Sequence, residues 1–565
     1  MTATPSQLRA IESTSSAILN VAGAGSGKTT TIVNRIARLI DHGTRPDSIL
    51  CLTFTRKAAN ELKDRLTLKI GAVARRIWTG TFHSVSYRIL TKWGERIGYR
   101  TTSGQAISVV QPEEAEALFE SVVNQYGWKG TKKALAEAKQ ELAHDGTEPN
   151  DPNIMRILRE YWSRLRQCNA MDYDQLLIEV LRLFRECPEA LLHYRNQLEY
   201  IFVDEYQDTD HQQYTLHEAI NPKNLYSVGD PDQAIYGWRG ADLGIILDFE
   251  KAHQGAEVIR LEECFRCGTP IVKAANSLIE HNKDRIEKTL IPVIEGGEIE
   301  VIQGGPDRLA KMLADEICFN KPEQIAVIGR THGILETCLE AANVKEIPAF
   351  KVGAKTKGIE SSDSWKLFHA AVRMAVNPSD DLAFYSQGLR FFDVNPEGLR
   401  TLQGRAAHRG MGMWATYCDE NPDNEIAQMR EAMNRVSILS LAGNWREFIA
   451  DLDQEFIETL AINCATMTPA QWLEYQAGKD MHTELEKGVD NRVTLLTAHA
   501  AKGLEWDVVY VVGFDQGEFP KNRSIREKHL EEERRLAYVA FTRARKRLVL
   551  LHEKEPSQFI KEAGL

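Results

Sequence analysis

At 565 residues the chain is too long for one hydrophobic core, so several domains are expected. With 43% hydrophobic and 26% charged residues it has a globular composition, and no apolar run approaches the roughly 20 residues needed to span a bilayer. The opening Met1-Thr-Ala-Thr-Pro-Ser6 lacks the basic and apolar regions of a signal peptide, the nine cysteines are scattered, and the net charge is −11. A cytoplasmic protein is expected, and any nucleic-acid site must be a local basic cleft rather than a basic surface. Cys264-Phe-Arg-Cys267 has CxxC spacing, but with no second pair nearby neither a zinc nor a redox role is expected from spacing alone.

Thr4-Pro5-Ser6-Gln7 reads as a helix start, followed by Leu8 and Ile11. Next, the apolar run Ile18 to Ala22 reads as a strand. It breaks into Ala22-Gly23-Ala24-Gly25-Ser26-Gly27-Lys28-Thr29-Thr30, at the head of an amphipathic helix with Ile32, Val33, Ile36, Leu39 and Ile40 on one side. A chain of phosphates needs several inward-pointing N–H groups, and glycines at 23, 25 and 27 permit the dihedrals and the close approach. The helix aims its positive end at the anion. Lys28 supplies a mobile charge for the terminal phosphates and Thr29 a Mg²⁺ ligand. Ala22 stands where the strict P-loop pattern has Gly, a small loss because backbone donors do the binding.

Ser48 to Phe54 is a buried-strand pattern, Arg56 to Lys63 opens a charged helix, and Ile77 to Ser84 resembles a strand ending in polar groups. From about 101 to 168 the texture is helical and charged without a convincing strand, bounded by turn signals at Asp145-Gly146 and Glu148-Pro-Asn-Asp-Pro152. Strands resume at Tyr200-Ile-Phe-Val-Asp204-Glu205 and at Leu225 to Asp230, the latter leading into Pro231 to Gly240. A second α/β set begins near 268, with Glu298 to Gln303 and Gln324 to Arg330. It is interrupted from about 366 to 488 by a helical region, then resumes at Val493 to Thr497, Asp507 to Gly513 and Arg547 to Leu551. No second Gly-Lys-Ser/Thr occurs; Gly478-Lys-Asp480 has no strand before it. Alternating strands and helices predict parallel sheets with ligands at the strand carboxyl ends.

Asp204 and Glu205 at a strand end are what phosphoanhydride hydrolysis beside such a loop needs: the Asp to hold Mg²⁺, the Glu to orient and deprotonate water. Charge developing on the γ-phosphate calls for arginines, often from an opposing surface. Arg266, at the boundary of the two sets, and Arg543, in the last helix, are the candidates, although a surface ion pair is the default for any single arginine.

These motifs together resemble a superfamily 1 (SF1A) DNA helicase of the UvrD/Rep/PcrA type, from Gln7 to about Arg545. Pro5-Ser-Gln7 resembles its Gln motif, Ala22–Thr29 motif I, Leu52–Leu62 motif Ia and Gly80–Ser84 motif Ib. Val203–Thr209 resembles motif II, Val228–Gly240 motif III and Leu261–Arg266 motif IV. Val493–Trp506 resembles motif V, and Glu531–Ala544 motif VI. The resemblance implies an α/β protein of two RecA-like P-loop NTPase cores, with helices on both faces of each parallel sheet. The expected division is 1–100 and 169–267 for the first core, 101–168 for its helical insertion, 268–365 and 489–565 for the second core, and 366–488 for a reduced helical insertion.

It further implies ATP with Mg²⁺, Gln7 reading adenine, Phe265 stacking on it in place of the usual Tyr, and Glu505 on the ribose. Gln233 would sense the γ-phosphate, with Arg266 and Arg543 as arginine fingers. Single-stranded DNA would cross both cores, its bases stacking on Phe54, Tyr236 and Trp238. Thr81, His83, Arg239, Arg330 and His499 would hold backbone or sugar. Departures are the short second insertion without a Gly-Ile-Gly hairpin, where Phe391 to Gly398 falls instead, and Val352 to Gly358 without the aromatic pattern. Nothing after motif VI is long enough for a partner-docking tail or nuclease domain. The expectation is an ATP-dependent 3′→5′ helicase and single-stranded DNA translocase acting at single-strand/duplex junctions in repair, replication or recombination, nucleoid-associated, with unidentified repair or replication partners. The alternatives are an ATP-gated protein-displacing factor with little unwinding, and an RNA-directed motor.

Overall fold

A computed structural model describes residues 3–101, 106–128, 149–220, 222–352, 363–388, 396–422, 467–477, 491–526 and 529–565, with a few positions between 135 and 142. The expected turns at Asp145-Gly146 and Glu148, the stretch 353–358, most of Phe391–Gly398 and Gly478-Lys-Asp480 lie outside the described residues. Among the described residues no helix is long and apolar enough to cross a membrane.

The protein is α/β, with two six-stranded sheets. Helix α1 (Pro5–Glu12) precedes β1 (Ala17–Ala22), and α2 (Lys28–Asp41) follows it. The chain continues through β2 (Ile49–Thr53), α3 (Arg56–Ile70), β3 (Trp78–Thr81), α4 (Phe82–Trp93), β4 (Ser108–Val109), α5 (Pro112–Gln125) and β5 (Ala170–Met171). Strands β6 (Tyr200–Val203), β7 (Asn224–Gly229) and β8 (Glu257–Leu261) return to the first sheet, whose order is β3-β2-β6-β7-β1-β8, parallel throughout. Every residue of β1 and β2 is buried, Asn20 and Thr53 included, as in a parallel sheet covered on both faces.

Strands β9 (Glu263–Gly268) and β10 (Ile291–Ile294) form a small parallel ladder of their own. The second sheet combines β11 (Glu298–Gln303), β12 (Ile325–Gly329), β13 (Ala349–Lys351), β14 (Val493–Thr497), β15 (Trp506–Val512) and β16 (Ala544–His552). Its order is β11-β16-β15-β12-β14-β13, again all parallel. Both sheets are RecA-like cores, with helices packed on their faces.

Three local expectations are corrected. The stretch 101–168 does hold a strand: β4 pairs with β5 just beyond, held by Asn169, whose Nδ2 donates to Arg100 O and Ala106 O at 2.9 and 3.1 Å. The strand expected over Ile77–Ser84 ends at Thr81, because the Thr81 hydroxyl caps α4 by accepting from Ser84 N, so His83 is helical. Arg543 is not in a helix. The helix Leu530–Phe541 stops two residues short of it, Arg543 sits in the turn into β16, and a further helix, Gln558–Glu562, follows.

The described part of the second insertion rests on the first core. Its opening helix, Asp363–Val376, starts three residues before the expected 366, and Trp365, Phe368, Trp472 and Leu473 are buried together with Phe82, Val85 and Leu90 of α4. Asn377 Nδ2 donates to Ser108 Oγ, Cys168 O and Asn169 O at 2.9–3.1 Å, and the buried Arg373 pairs with Asp380 at 2.8 Å and with Glu114.

Candidate functional site

The loop between β1 and α2 turns through Gly25 at φ +70° and Gly27 at φ +81°, left-handed conformations that side chains resist. Each glycine is also walled in. A Cβ on Gly25 would come 2.6 Å from Cβ of Arg266, and one on Gly27 2.9 Å from Nε2 of Gln7. Thr4 and Gln7 form a capping box, and from it Gln7 Nε2 donates to Ser26 O at 2.9 Å. Phe265 N donates to Gly25 O at 3.0 Å, so strand β9 grips the loop from the other side. Ala22, Gly23 and Ala24 are buried, Thr29 is half-buried and Thr30 is exposed. Ser26 Oγ is buried without a protein partner, as a donor in an anion cradle would be.

Lys28 Nζ reaches Glu205 Oε2 at 3.4 Å. Glu205 sits at φ +53°, just after β6, and donates its N–H to Asp204 Oδ1 at 3.0 Å. Burial and the neighbouring Glu205 charge push the Asp204 carboxyl well up, the environment of a carboxylate awaiting a cation. Burial also acts to raise Glu205, but Lys28, Lys502 and a 2.6 Å hydrogen bond from Gln207 Nε2 outweigh it and hold Glu205 ionised. Glu205 is therefore an ionised carboxylate that can accept a hydrogen bond from water, and Thr29 with Asp204 offers the oxygen donors Mg²⁺ prefers.

The second core enters this site directly. Arg543 is fully buried; its Nη2 donates to Gln233 Oε1 at 3.3 Å, while Nε and Nη1 are held by Val539 O and Leu504 O at 2.9 and 3.1 Å. Burial and the nearby Arg266 charge lower the Arg543 guanidinium to about 10. Gln233 Nε2 in turn donates to Asp230 Oδ2 at 2.6 Å. Arg266 pairs through Nε with Glu505 and through Nη1 with Thr542 O at 3.3 Å, and Arg545 also pairs with Glu505.

Sequence reasoning missed three cations that tie the cores together. Lys502, from the loop after β14, donates to Asp208 Oδ1 and to Gln233 O, both at 2.8 Å. Burial pushes Asp208 up to about 6 against the pull of that lysine. Arg285 makes a bidentate pair with Asp232 at 3.1 and 2.8 Å, and the buried Lys288 reaches Asp230 at 2.6 Å and also Asp232. The signal available was indirect. Asp230 and Asp232 flank a buried turn, and buried carboxylates demand cations from elsewhere.

Of the expected DNA-facing residues, five converge. Phe54 and Tyr236 stack at 5.3 Å and 17°, the Arg239 guanidinium lies 5.5 Å from both rings and 5.8 Å from Trp238, and Trp238 meets His499 edge-on at 6.1 Å. Trp238 is 53% exposed, unusual for its size. Lys502 Nζ lies 4.9 Å from the Tyr236 ring, so one lysine touches both this aromatic cluster and the nucleotide-side residues. The other three stand apart with partners of their own. Thr81 is buried as the α4 cap, His83 stacks on Tyr173 at 3.8 Å, and Arg330 makes a bidentate pair with Glu533 at 2.6–3.1 Å.

Comparison with known proteins agrees with these motifs. A family model described as the UvrD/REP helicase N-terminal domain matches residues 3–254, and one described as the UvrD-like helicase C-terminal domain matches residues 448–555. Curated relatives include a protein named ATP-dependent DNA helicase PcrA from Staphylococcus aureus (strain Mu50), 29% identical over 637 aligned residues, covering 98% of this chain and 85% of the relative. A PcrA of Staphylococcus epidermidis (strain ATCC 12228) is likewise 29% identical, over 639 residues, with the same coverage.

Proposed function

The chain belongs to the UvrD/Rep helicase family and is an ATP-dependent DNA helicase, and from that premise we propose that it is a 3′→5′ single-stranded DNA translocase driven by one ATP site shared between its two cores. The observation that carries this reading is the 3.3 Å contact from Arg543 to Gln233, which brings a cation of the second core to the glycine-loop side of the first.

The 22–30 loop would hold the phosphates of ATP, with Gln7 and Phe265 for its adenine and Glu505 for its ribose. Thr29 and Asp204 would hold Mg²⁺, which would supply neutralisation of the phosphate charge there. Lys28 leaves Glu205 for the terminal phosphates, which frees the Glu205 carboxylate to take a proton from the attacking water. Arg266 and Arg543 then face the charge that grows on the γ-phosphate oxygens. Gln233 reports the state of that phosphate to the loop bearing Tyr236, Trp238 and Arg239, with Lys502 a second link between the same two places. Stacking on Phe54, Tyr236 and Trp238 grips DNA without reading sequence. Thr81, His83, Arg239, Arg330 and His499 act on its backbone; for Arg330 this requires release from Glu533. Action at single-strand/duplex junctions in replication, repair or recombination, with a cytoplasmic, nucleoid-associated location, completes the proposal.

The test is strand displacement on 3′-tailed, 5′-tailed and blunt duplexes, run beside ATPase with and without single-stranded DNA. Unwinding is expected on the 3′-tailed substrate alone. Preferential unwinding of the 5′-tailed substrate would reverse the polarity. DNA-stimulated ATPase without unwinding of any substrate would replace the helicase reading with protein displacement.

A further inference from the structure

Gln207 lies in the tight turn Tyr206–Asp208 just past β6, two residues after Glu205, and is fully buried. Its side-chain amide touches the ends of two neighbouring strands at once. The amide Oε1 accepts from the backbone N–H of Asp230, just past β7, at 2.9 Å. The amide Nε2 donates to Glu205 Oε2 at 2.6 Å and to Asp208 Oδ2 at 3.4 Å. The two ends of this amide cannot be exchanged. A backbone N–H must meet its oxygen and two carboxylates its NH₂ group, so chemistry sets the orientation. The backbone makes room for it. A Cβ on Gly229 would stand 2.7 Å from Gln207 Oε1 and 3.2 Å from Gln207 N. Asp230, in turn, is where contacts from the second core gather. Its Oδ2 accepts from Gln233, which Arg543 holds, and its Oδ1 pairs with Lys288 at 2.6 Å. A short relay thus runs from Arg543 and Lys288 through Asp230 and the Gln207 amide to the Glu205 carboxylate.

We propose that Gln207 is a positioning residue for water activation: it aims the Glu205 carboxylate and makes that aim depend on contact between the cores. The inference rests on reading Glu205 as the group that takes the proton from water. Lys28 and Gln207 both hold Glu205 Oε2. When Lys28 leaves for the phosphates, the Gln207 bond keeps the carboxylate from swinging, and Glu205 Oε1 is the oxygen that meets water. At 2.6 Å, with an ionised acceptor, it is a charge-assisted bond suited to that task. The other end of the amide answers to Asp230. A shift of the Asp230 turn as the cores part would carry the donor away from Glu205, and the base would lose its aim.

The experiment measures DNA-stimulated ATPase of the full protein against ATP concentration and pH, for Gln207→Leu, Gly229→Ala and Gln207→Glu, with Glu205→Gln beside them. Gln207→Leu removes the amide. Its kcat is expected to fall roughly 10- to 100-fold, as for a misaimed base, with KM for ATP within about twofold. Gly229→Ala pushes on the amide without touching Glu205 and is expected to lower kcat in the same sense. Gln207→Glu still accepts from Asp230 N but sets a second carboxyl against Glu205. The two then share a proton, and the acid limb of the kcat profile is expected to move up by roughly one pH unit. Lys28, Lys502, Arg543, Asp204 and Asp208 also face Glu205, and all are retained in these variants. Because Gln207 also meets Asp208, the profile is repeated with Asp208→Asn, where the shift is expected to persist.

A part in packing alone would lower stability and leave the acid limb in place. The proposal is therefore overturned by an unchanged kcat in Gln207→Leu, or by an acid limb that stays put in Gln207→Glu. A shift that vanishes with Asp208→Asn overturns it too, by assigning the effect to Asp208. Should Gln207→Leu fold poorly, the isosteric Gln207→Glu decides. Glu205→Gln separates the two failures. If it keeps the DNA-stimulated rate, the reading of Glu205 falls and the inference with it; if it loses the rate while the Gln207 variants keep theirs, only the role of Gln207 falls.

Discussion

In the first core the strand ends carry a glycine loop with Lys28 after β1, Asp204 and Glu205 after β6, and the Gln233 turn after β7. In the second core a central strand, β12, runs through Gly329-Arg330-Thr331 straight into a helix, His332–Val344, with no glycine run. What the second core offers instead is Lys502, after β14, and Arg543, in the turn before β16. Two sheets of the same order of size and the same parallel sense have thus divided one reaction. On the proposed mechanism one holds phosphate and activates water, and the other supplies cations that matter only when charge develops. The contacts between the cores combine buried charged pairs with an apolar patch, in which Ala24 and Ile235 of the first core join the cluster of Leu290 and Leu536 of the second.

The sharpest way to break this comparison is to remove the cation that crosses the seam. Arg543→Ala is expected to lower DNA-stimulated kcat by about 10³-fold or more while ATP binding, followed by a fluorescent nucleotide, stays nearly intact. Equal loss of binding and rate would place Arg543 with the first core's binding groups. Lys288→Met tests the seam as structure. It leaves Asp230 and Asp232 short of a buried partner, at an expected cost of about 3–5 kcal/mol in denaturant-measured stability.

Trp238→Ala is expected to weaken single-stranded DNA binding by roughly 1–3 kcal/mol, with basal ATPase unchanged. An unchanged affinity for DNA would remove Trp238 from the track. A smaller effect concerns acid. As pH falls, Asp204, raised to about 7 by burial and the Glu205 charge, takes up a proton first and Asp208, raised to about 6 by burial, next, whereas Glu205 is held low and stays ionised. The acid side of the ATPase profile is therefore expected to bend near pH 6 through loss of the Asp208–Lys502 pair, and Asp208→Asn should flatten that bend while lowering the plateau. Stability has the opposite sign: with a folded pKa above the ordinary carboxylate value, Asp208 favours the folded state more as pH falls through about 6 toward 4.

What was legible in the sequence was whatever chemistry forces into a short stretch. The phosphate loop must alternate glycines before Lys28, and Asp204-Glu205 must end a buried strand, so both could be read before any fold was known. The alternation of strands gave the two sheets for the same reason. Residues that act across distance left no such trace. Lys502, Arg285 and Lys288 are single charges whose partners lie far away in the chain, and only the packed structure shows which carboxylates they answer. Thr81 looked like a strand-end polar group because a helix cap and a strand terminus draw on the same residue types. The two-residue strand β4 is too short for a period to be counted, and it is held by Asn169, whose carbonyl accepts from Ser108 N, and by Asn377, whose amide donates to the Ser108 hydroxyl.

Two glutamates share an unusual backbone. Glu205 at φ +53° and Glu346 at φ +55° both hold the left-handed turn that costs an ordinary residue about 1–2 kcal/mol. Glu346 lies exposed two residues past the helix His332–Val344, where glycine is the common solution, so Glu346→Gly is expected to stabilise the protein by up to about 1 kcal/mol in thermal unfolding. The same change at Glu205 would relieve the same strain and remove the carboxylate that meets water. A programme of thermostabilisation guided by backbone geometry alone would choose both positions, and would produce a hardier protein that no longer turns over. On the proposed mechanism, the strain at 205 is a constraint the fold keeps because the chemistry sits on it.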